Sequence, residues 1–272
     1  MPSFLRRIRL RLRLQASNPS QPTATATVQA RGVLEDDFHH FRVQIDTASG
    51  LISGVQVESP RHPYSLCPAA SVPLQELVGL PLPAHAHGLT RLVRPVEQCT
   101  HLLDLAGLVC ALLRRGEARR DYDIEVPLRI DGRTQATLWR DQVVCLRWDL
   151  NGLTIASPPP YAAVELRHGM ARWALSHLSP EEAEAALVLR RASVISLGKG
   201  LPLDLQIHAK PTGACFAQQP ERAPVAWRQI GSTLDFTGRA EQLCADDDAW
   251  LAFEDATGRS PGSPFPAPPG PG

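Results

Sequence analysis

No acidic residue occurs in the first 34 positions, and no apolar run comes near the length that crosses a bilayer, about 18 residues or more. Charge excess is also lacking. The 28 basic and 28 acidic residues balance, which argues against general binding to nucleic acid or anionic membrane, where a basic excess is expected. Cysteine is sparse, with Cys67, Cys99, Cys110, Cys145, Cys215 and Cys244 scattered along the chain. That is not the dense framework of a small secreted domain. No C-x-x-C pair, G-x-S-x-G elbow, dinucleotide fingerprint or H-E-x-x-H helix is present. No secretory signal is seen, so the expectation is a cytoplasmic protein with free or metal-bound thiols.

What is present is core-forming sequence. The 272 residues are 43% apolar, enough for one large domain or two small ones. The segment Arg6-Arg7-Ile8-Arg9-Leu10-Arg11-Leu12-Arg13-Leu14 alternates with strand period. It reads as an edge strand whose arginines face solvent, since charge protects edges, in preference to an organellar transit segment. Residues 15–30 are rich in Ser, Thr, Ala, Gln and Pro and read as a linker. Residues 255–272 end in Pro-Ala-Pro-Pro-Gly-Pro-Gly and are expected to be a disordered tail.

Between them lie two blocks, and the fold class expected is α+β. Block 31–116 reads as a small antiparallel sheet with helices. Phe41–Ile45 and Leu51–Glu58 flank the turn Ala48-Ser49-Gly50 and make a hairpin, with a third strand at 62–66. A helix over 69–78 stops at Gly79. A second opens at Thr100, the expected N-cap, with Leu102, Ala106, Val109 and Leu113 as its buried stripe. Block 117–254 begins as an antiparallel meander whose last turn is Asn151-Gly152, with Trp139 and Trp148 packing on one face. Helices follow, one opened by the capping box Ser179-Pro180-Glu181-Glu182. Residues 201–254 are poorly patterned.

Chemistry concentrates in three short clusters at element mouths: Glu35-Asp36-Asp37-Phe38-His39-His40, Cys67-Pro68 and Cys99-Thr100-His101. A thiol just before a helix meets unsatisfied N–H groups and the positive dipole end, so the Cys99 pKa is expected to fall. Asp104, three residues after His101, shares its face and would orient its imidazole. Of His39 and His40 only one can face a given site, because strand neighbours point to opposite sides. Cys67, Cys99, His101 and Asp37 suit zinc or iron as ligands. Without a metal, Asp37, His39, His40, Cys99 and His101 are the candidate acid–base and nucleophilic groups. Gly198-Lys199-Gly200 lacks the strand, spacing and hydroxyl residue of a phosphate-binding loop and reads as a helix stop.

Residues 31–115 resemble an uncharacterised bacterial family, a domain of unknown function (number twenty-eight eighty-nine). The likeness rests on the Asp/His cluster, the hairpin, Pro63-Tyr-Ser-Leu-Cys67-Pro, Leu77-Val-Gly79 and Cys99-Thr-His101-Leu. More distantly, the order strand, strand, Cys, helix, Cys, helix is similar to the U-type iron–sulfur cluster scaffold proteins. That resemblance implies three loop cysteines holding zinc or a nascent cluster. Here Cys67 and Cys99 match two of them, and Asp36–His40 stands where the first would be. The function expected is an enzyme with a Cys/His/Asp site, with zinc as the cofactor if a metal is held. The substrate expected is a small organic molecule, aromatic or acyl. The competing expectation is a non-catalytic metal-binding or iron–sulfur-related interaction module. No nucleic-acid or membrane partner is expected.

Overall fold

A period-two alternation becomes two faces when a chain is extended. In the computed structural model, which describes residues 1–14 and 27–254, the arginine-rich segment is strand β1 (Ser3–Leu14). It is not an edge. β1 pairs with β2 (Val28–Asp36) on one side and β5 (Arg119–Pro127) on the other. The remaining strands are β3 (His40–Ala48), β4 (Leu51–Arg61), β6 (Arg133–Arg140), β7 (Val143–Asn151) and β8 (Thr154–Ser157). All eight form one antiparallel sheet in the order β4-β3-β2-β1-β5-β6-β7-β8. The strands of the two sequence blocks are therefore joined through β1. The edge-strand expectation fails because alternation tells which residues share a face, not what lies beside the strand. The arginines that suggested solvent meet acids from distant sequence: Arg7 pairs with Asp123, Arg9 with Asp248 and Arg11 with Asp121.

The helices lie on the other face. α1 (Ser71–Leu74) is a single turn between 3₁₀ segments Cys67–Ala70 and Gln75–Leu77, a broken form of the helix expected over 69–78. α2 (Thr100–Arg115) opens at Cys99, not Thr100, as N-cap, and ends at Gly116, whose φ of 66° is the left-handed value glycine tolerates. α3 (Met170–His177) leads to α4 (Pro180–Ile195), which starts with the full capping box: Glu182 N–H donates to Ser179 Oγ, and Ser179 N–H donates to the Glu182 carboxylate. α2 crosses β1, β2 and β3, while α4 crosses β5, β6 and β7. The crossing of α2 over β2 is close at Gly32: a Cβ there would sit 2.6 Å from Val109 Cγ2 and 2.9 Å from Leu10 Cδ2. Phe4, Ile8, Leu34, Phe41, Leu105 and Val109 fill the space between sheet and helices.

Three further expectations change. The third strand at 62–66 reduces to one bridge between Tyr64 and Arg228. Trp148 is fully buried on the helix face. Trp139, beside a bulge and opposite Asp123, points away from it. Of the proposed linker, residues 28–30 belong to β2 and residues 15–26 lie outside the described residues, as does the tail 255–272. The unpatterned stretch after 201 is a chain of 3₁₀ turns ending in α5 (Asp248–Leu251). Its first part packs around Cys67, and its last part lies across the arginine face, where Phe236 and Leu243 pack on Leu5 and Cys244 and Leu251 on Val33. Among the described residues no helix is long and apolar enough to cross a membrane.

Candidate active site

The six residues 35–40 span the β2–β3 hairpin, and the pleat sends them three ways. Asp36 N–H donates to His39 O at 2.9 Å to close the turn. Asp36 Oδ1 accepts the N–H of Phe38 (2.7 Å) and of His39 (2.8 Å), the local turn that Asp side chains favour. Arg61, at the end of β4, clamps the turn from outside by donating to the carbonyls of Asp36, Asp37 and His39.

On the helix face, Asp36 and His39 meet His101 from the first turn of α2. His39 Nδ1 lies 3.0 Å from Asp36 Oδ1, and the His39 and His101 rings are 4.0 Å apart between centroids at 32°. Arg6, the one arginine of β1 on this face, reaches Asp36 Oδ2 through Nε (2.9 Å) and Nη2 (2.5 Å). Arg6 and Asp36 are 1% and 0% exposed. Burial alone would raise the Asp36 carboxyl pKa. The Arg6 guanidinium, His39 and His101 overcome it and hold the carboxyl far below the ordinary value of 3.8. An ionised carboxylate only accepts, so His39 Nδ1 carries the proton of that contact. His101 is pushed well below 6.5, first by burial and then by His39 and Arg6, so it stays uncharged. Its Nε2 is buried with no partner among the described residues.

His101 also lines a cavity between α2 and α4. The cavity measures about 50 Å³, with Ile8 and Leu34 as floor and Leu105, Leu108, Leu187 and Val188 among its walls. Arg6 joins His101 in the lining, and Arg190, Arg191, Asp104, His85 and His87 supply the rest of its polar groups apart from Glu184. Asp104 does not orient His101. It pairs with Arg191 at 2.6 Å, and the carboxylate that senses His101 is Asp36. Glu184 is held by Tyr122 Oη at 2.5 Å and by Arg115 at 3.0 Å.

The other residues of the run go elsewhere. His40 and Glu35 point to the opposite face, where His40 Nε2 lies 3.0 Å from Asp247 Oδ2 and Arg42 Nε donates to Asp247 at 2.6 Å. Glu35 accepts from Cys244 N–H at 2.7 Å and pairs with Arg61. Asp37 sits at the sheet end, 2.8 Å from Lys199 Nζ, which also reaches Asp235. Burial raises Asp37 to about 6 against the pull of Lys199. Lys199 of the Gly-Lys-Gly stop thus anchors the hairpin.

The thiols depart from expectation most clearly. Cys99 does cap α2, with the N–H groups of His101 and Leu102 favouring its thiolate. Burial outweighs them and pushes the thiol up to about 12. Burial also raises Cys67, and the nearness of Cys99 and Cys215 adds to it. Helix-dipole stabilisation acts on an exposed thiol; in an apolar site the desolvation of the thiolate is larger. Cys67 packs beside Cys215 in a small cluster of alanines.

Two groups of metal-type donors converge among the described residues: Asp36, His39 and His101, and Glu35, His40 and Asp247, each with donor atoms within 4.8 Å of one another. Cys67, Cys99 and Asp37 belong to neither. Strand parity allows only one of His39 and His40 on this face, and it is His39 that meets His101. Arg6, Asp247 and Cys215 were missed. Arg6 was hidden among five arginines of which only it faces the helices. Asp247 and Cys215 lie in the stretch without period.

No curated protein matches the chain. The comparisons lend no support to the likeness to iron–sulfur scaffolds. Residues 10–113, from the middle of β1 nearly to the end of α2, match the model of a family described as a protein of unknown function (DUF2889), and this segment carries Asp36, His39 and His101 but not Arg6, Arg190 or Asp247.

Proposed function

We propose that the protein is an enzyme using general acid–base catalysis on a small organic molecule, with His101 as the base and Asp36–His39 as the group that holds it in place. One observation carries the reading. An uncharged imidazole with an unpartnered Nε2 sits in the wall of an apolar cavity, and a buried polar atom without a partner calls for a functional reason. A base kept unprotonated by burial, in a water-poor cleft, is how proton transfer from a weakly acidic substrate is arranged. The His39 ring, packed 4.0 Å from the His101 ring, limits its rotation. Asp36, fixed by Arg6 and two backbone N–H groups, sets the tautomer of His39. Cys99 takes no part, because a thiol near 12 is not a thiolate at neutral pH.

A metal is the second reading, favoured by the approach of one carboxylate and two imidazoles, a donor set that suits zinc or iron. Weighing against it, the Asp36 oxygens already accept from Arg6 Nε and Nη2, Phe38 N, His39 N and His39 Nδ1. A cation would have to displace the guanidinium. Two measurements separate the readings. Elemental analysis of the purified protein, with thermal denaturation after adding zinc, is expected to show no stoichiometric metal and no stabilisation. Turnover of a panel of short acyl and aromatic compounds, followed by NMR, is expected to be lost in His101→Gln and retained in Cys99→Ala. Retention of turnover in His101→Gln sinks the proposal, and stoichiometric zinc lost in that variant establishes the second reading.

A further inference from the structure

The cavity beside His101 holds one charge that the protein does not balance. Arg6 is neutralised by Asp36, Arg191 by Asp104, and Glu184 by Arg115. Arg190 has no acid within ion-pair distance among the described residues. Its Nε donates to Leu166 O at 2.5 Å and its Nη2 to Arg167 O at 3.2 Å, so two backbone carbonyls fix the guanidinium in the lining. Its Nη1 has no hydrogen-bond partner there. Burial and the neighbouring Arg191 both act against its charge, and Asp104 and Glu165 offset this only from a distance. A second unpartnered group lies in the same lining: His85 Nδ1 is buried and without a hydrogen bond. His87 and His101 are the other polar groups of the lining, and the rest of the walls are aliphatic.

We infer that this cavity recognises a short aliphatic carboxylate, or an acyl compound bearing one, with Arg190 binding the carboxylate and the apolar walls taking the chain. An arginine held by carbonyls has lost its rotamer freedom before the ligand arrives, and its planar fork matches a carboxylate. The excess positive charge excludes cationic ligands, and the narrow volume excludes bulky ones. A cavity of about 50 Å³ has room for roughly four water-sized groups, which matches a chain of a few carbons. Arg191 cannot serve in the same way, because Asp104 occupies its Nε. The inference rests on the reading that this cavity receives the substrate, but it concerns binding alone and is tested without turnover.

The probes are sodium butyrate and butyramide, titrated into the full-length protein and followed by isothermal calorimetry and amide chemical shifts. Butyrate is expected to bind more tightly than butyramide, with shifts centred on α2 and α4. In Arg190→Gln the preference for butyrate is expected to fall by about tenfold or more, the effect of losing a charge-assisted hydrogen bond. Arg190→Lys keeps the charge without the fork and is expected to fall between. Should Arg190→Gln not fold, the lysine variant carries the test. Equal affinity for the two probes in the native protein, no binding of either, or an undiminished butyrate preference in both variants would overturn the inference. Loss of butyrate binding in Arg190→Gln together with turnover surviving in His101→Gln would leave the carboxylate site standing and remove the catalytic reading.

Discussion

Asp36→Asn isolates the electrostatic part of the site. Asparagine keeps the oxygen that accepts from Phe38 N and His39 N, so the hairpin turn is retained. It replaces Oδ2, which takes both Arg6 nitrogens, with an amide that cannot accept them. Arg6, 1% exposed, is left as a buried cation facing a donor. Removing one partner of a buried ion pair costs about 3–5 kcal/mol. With a urea dependence of about 3 kcal/mol per molar, the unfolding midpoint at pH 7 should drop by roughly 1–1.7 M. Arg6→Met with Asp36→Asn should recover part of that loss, with a coupling of about 1–3 kcal/mol in the double-mutant cycle. A drop below about 0.3 M, or additive effects in the cycle, would refute the claim that this pair organises the site.

Gly32→Ala puts a methyl against Val109 and Leu10 where α2 crosses β2; a loss of about 1–3 kcal/mol in urea is expected, and a neutral result would mean that the crossing is looser than described. Thiol titration with Ellman's reagent should modify at most Cys145 and Cys215 within minutes in the native protein and all six cysteines in denaturant, whereas rapid modification of Cys99 would contradict its burial. Asp37 has a folded pKa of about 6, above the model-compound value of 3.8. It therefore binds its proton more tightly when folded, and its contribution is fully present below about pH 4 and lost as pH rises to 6. The effect is at most about 3 kcal/mol. The difference in urea midpoint between the native protein and Asp37→Asn should change with pH across that window. His101 titrates in the opposite sense but is common to both proteins, so parallel pH curves would show that Asp37 is not perturbed.

β1, the β3–β4 hairpin, the later meander and the main helices were legible because each carries its own period, whereas β2 (Val28–Asp36), whose first residues read as linker, was not. Phe41–Ile45, the Asn151-Gly152 turn and the Ser179 capping box encode local structure in local residues. The convergence of His39 with His101 was half legible, since strand parity allowed only one histidine of the pair to face a given site but did not say which. Three features had no local signal. β1 lies in the sheet interior because Asp121, Asp123 and Asp248 neutralise its arginines, and those acids are more than a hundred residues away. The Cys99 thiol is unreactive because of what covers it, and a helix N-terminus in sequence looks the same whether it is buried or open. Asp36, not Asp37, orients the histidines because Asp36 lies opposite Arg6 in the β1–β2 register, a pairing across the segment outside the described residues.

The central claim is that a buried, uncharged His101 in the cavity wall stands beside an Asp36-bound His39. Imidazole ¹⁵N NMR of the native protein between pH 8 and 5, assigned with His101→Gln and His39→Gln, tests it directly. The account predicts a His101 ring that stays neutral to pH 5 and a His39 ring protonated at Nδ1. A His101 ring that gains its proton near the ordinary imidazole value of 6.5 would contradict it.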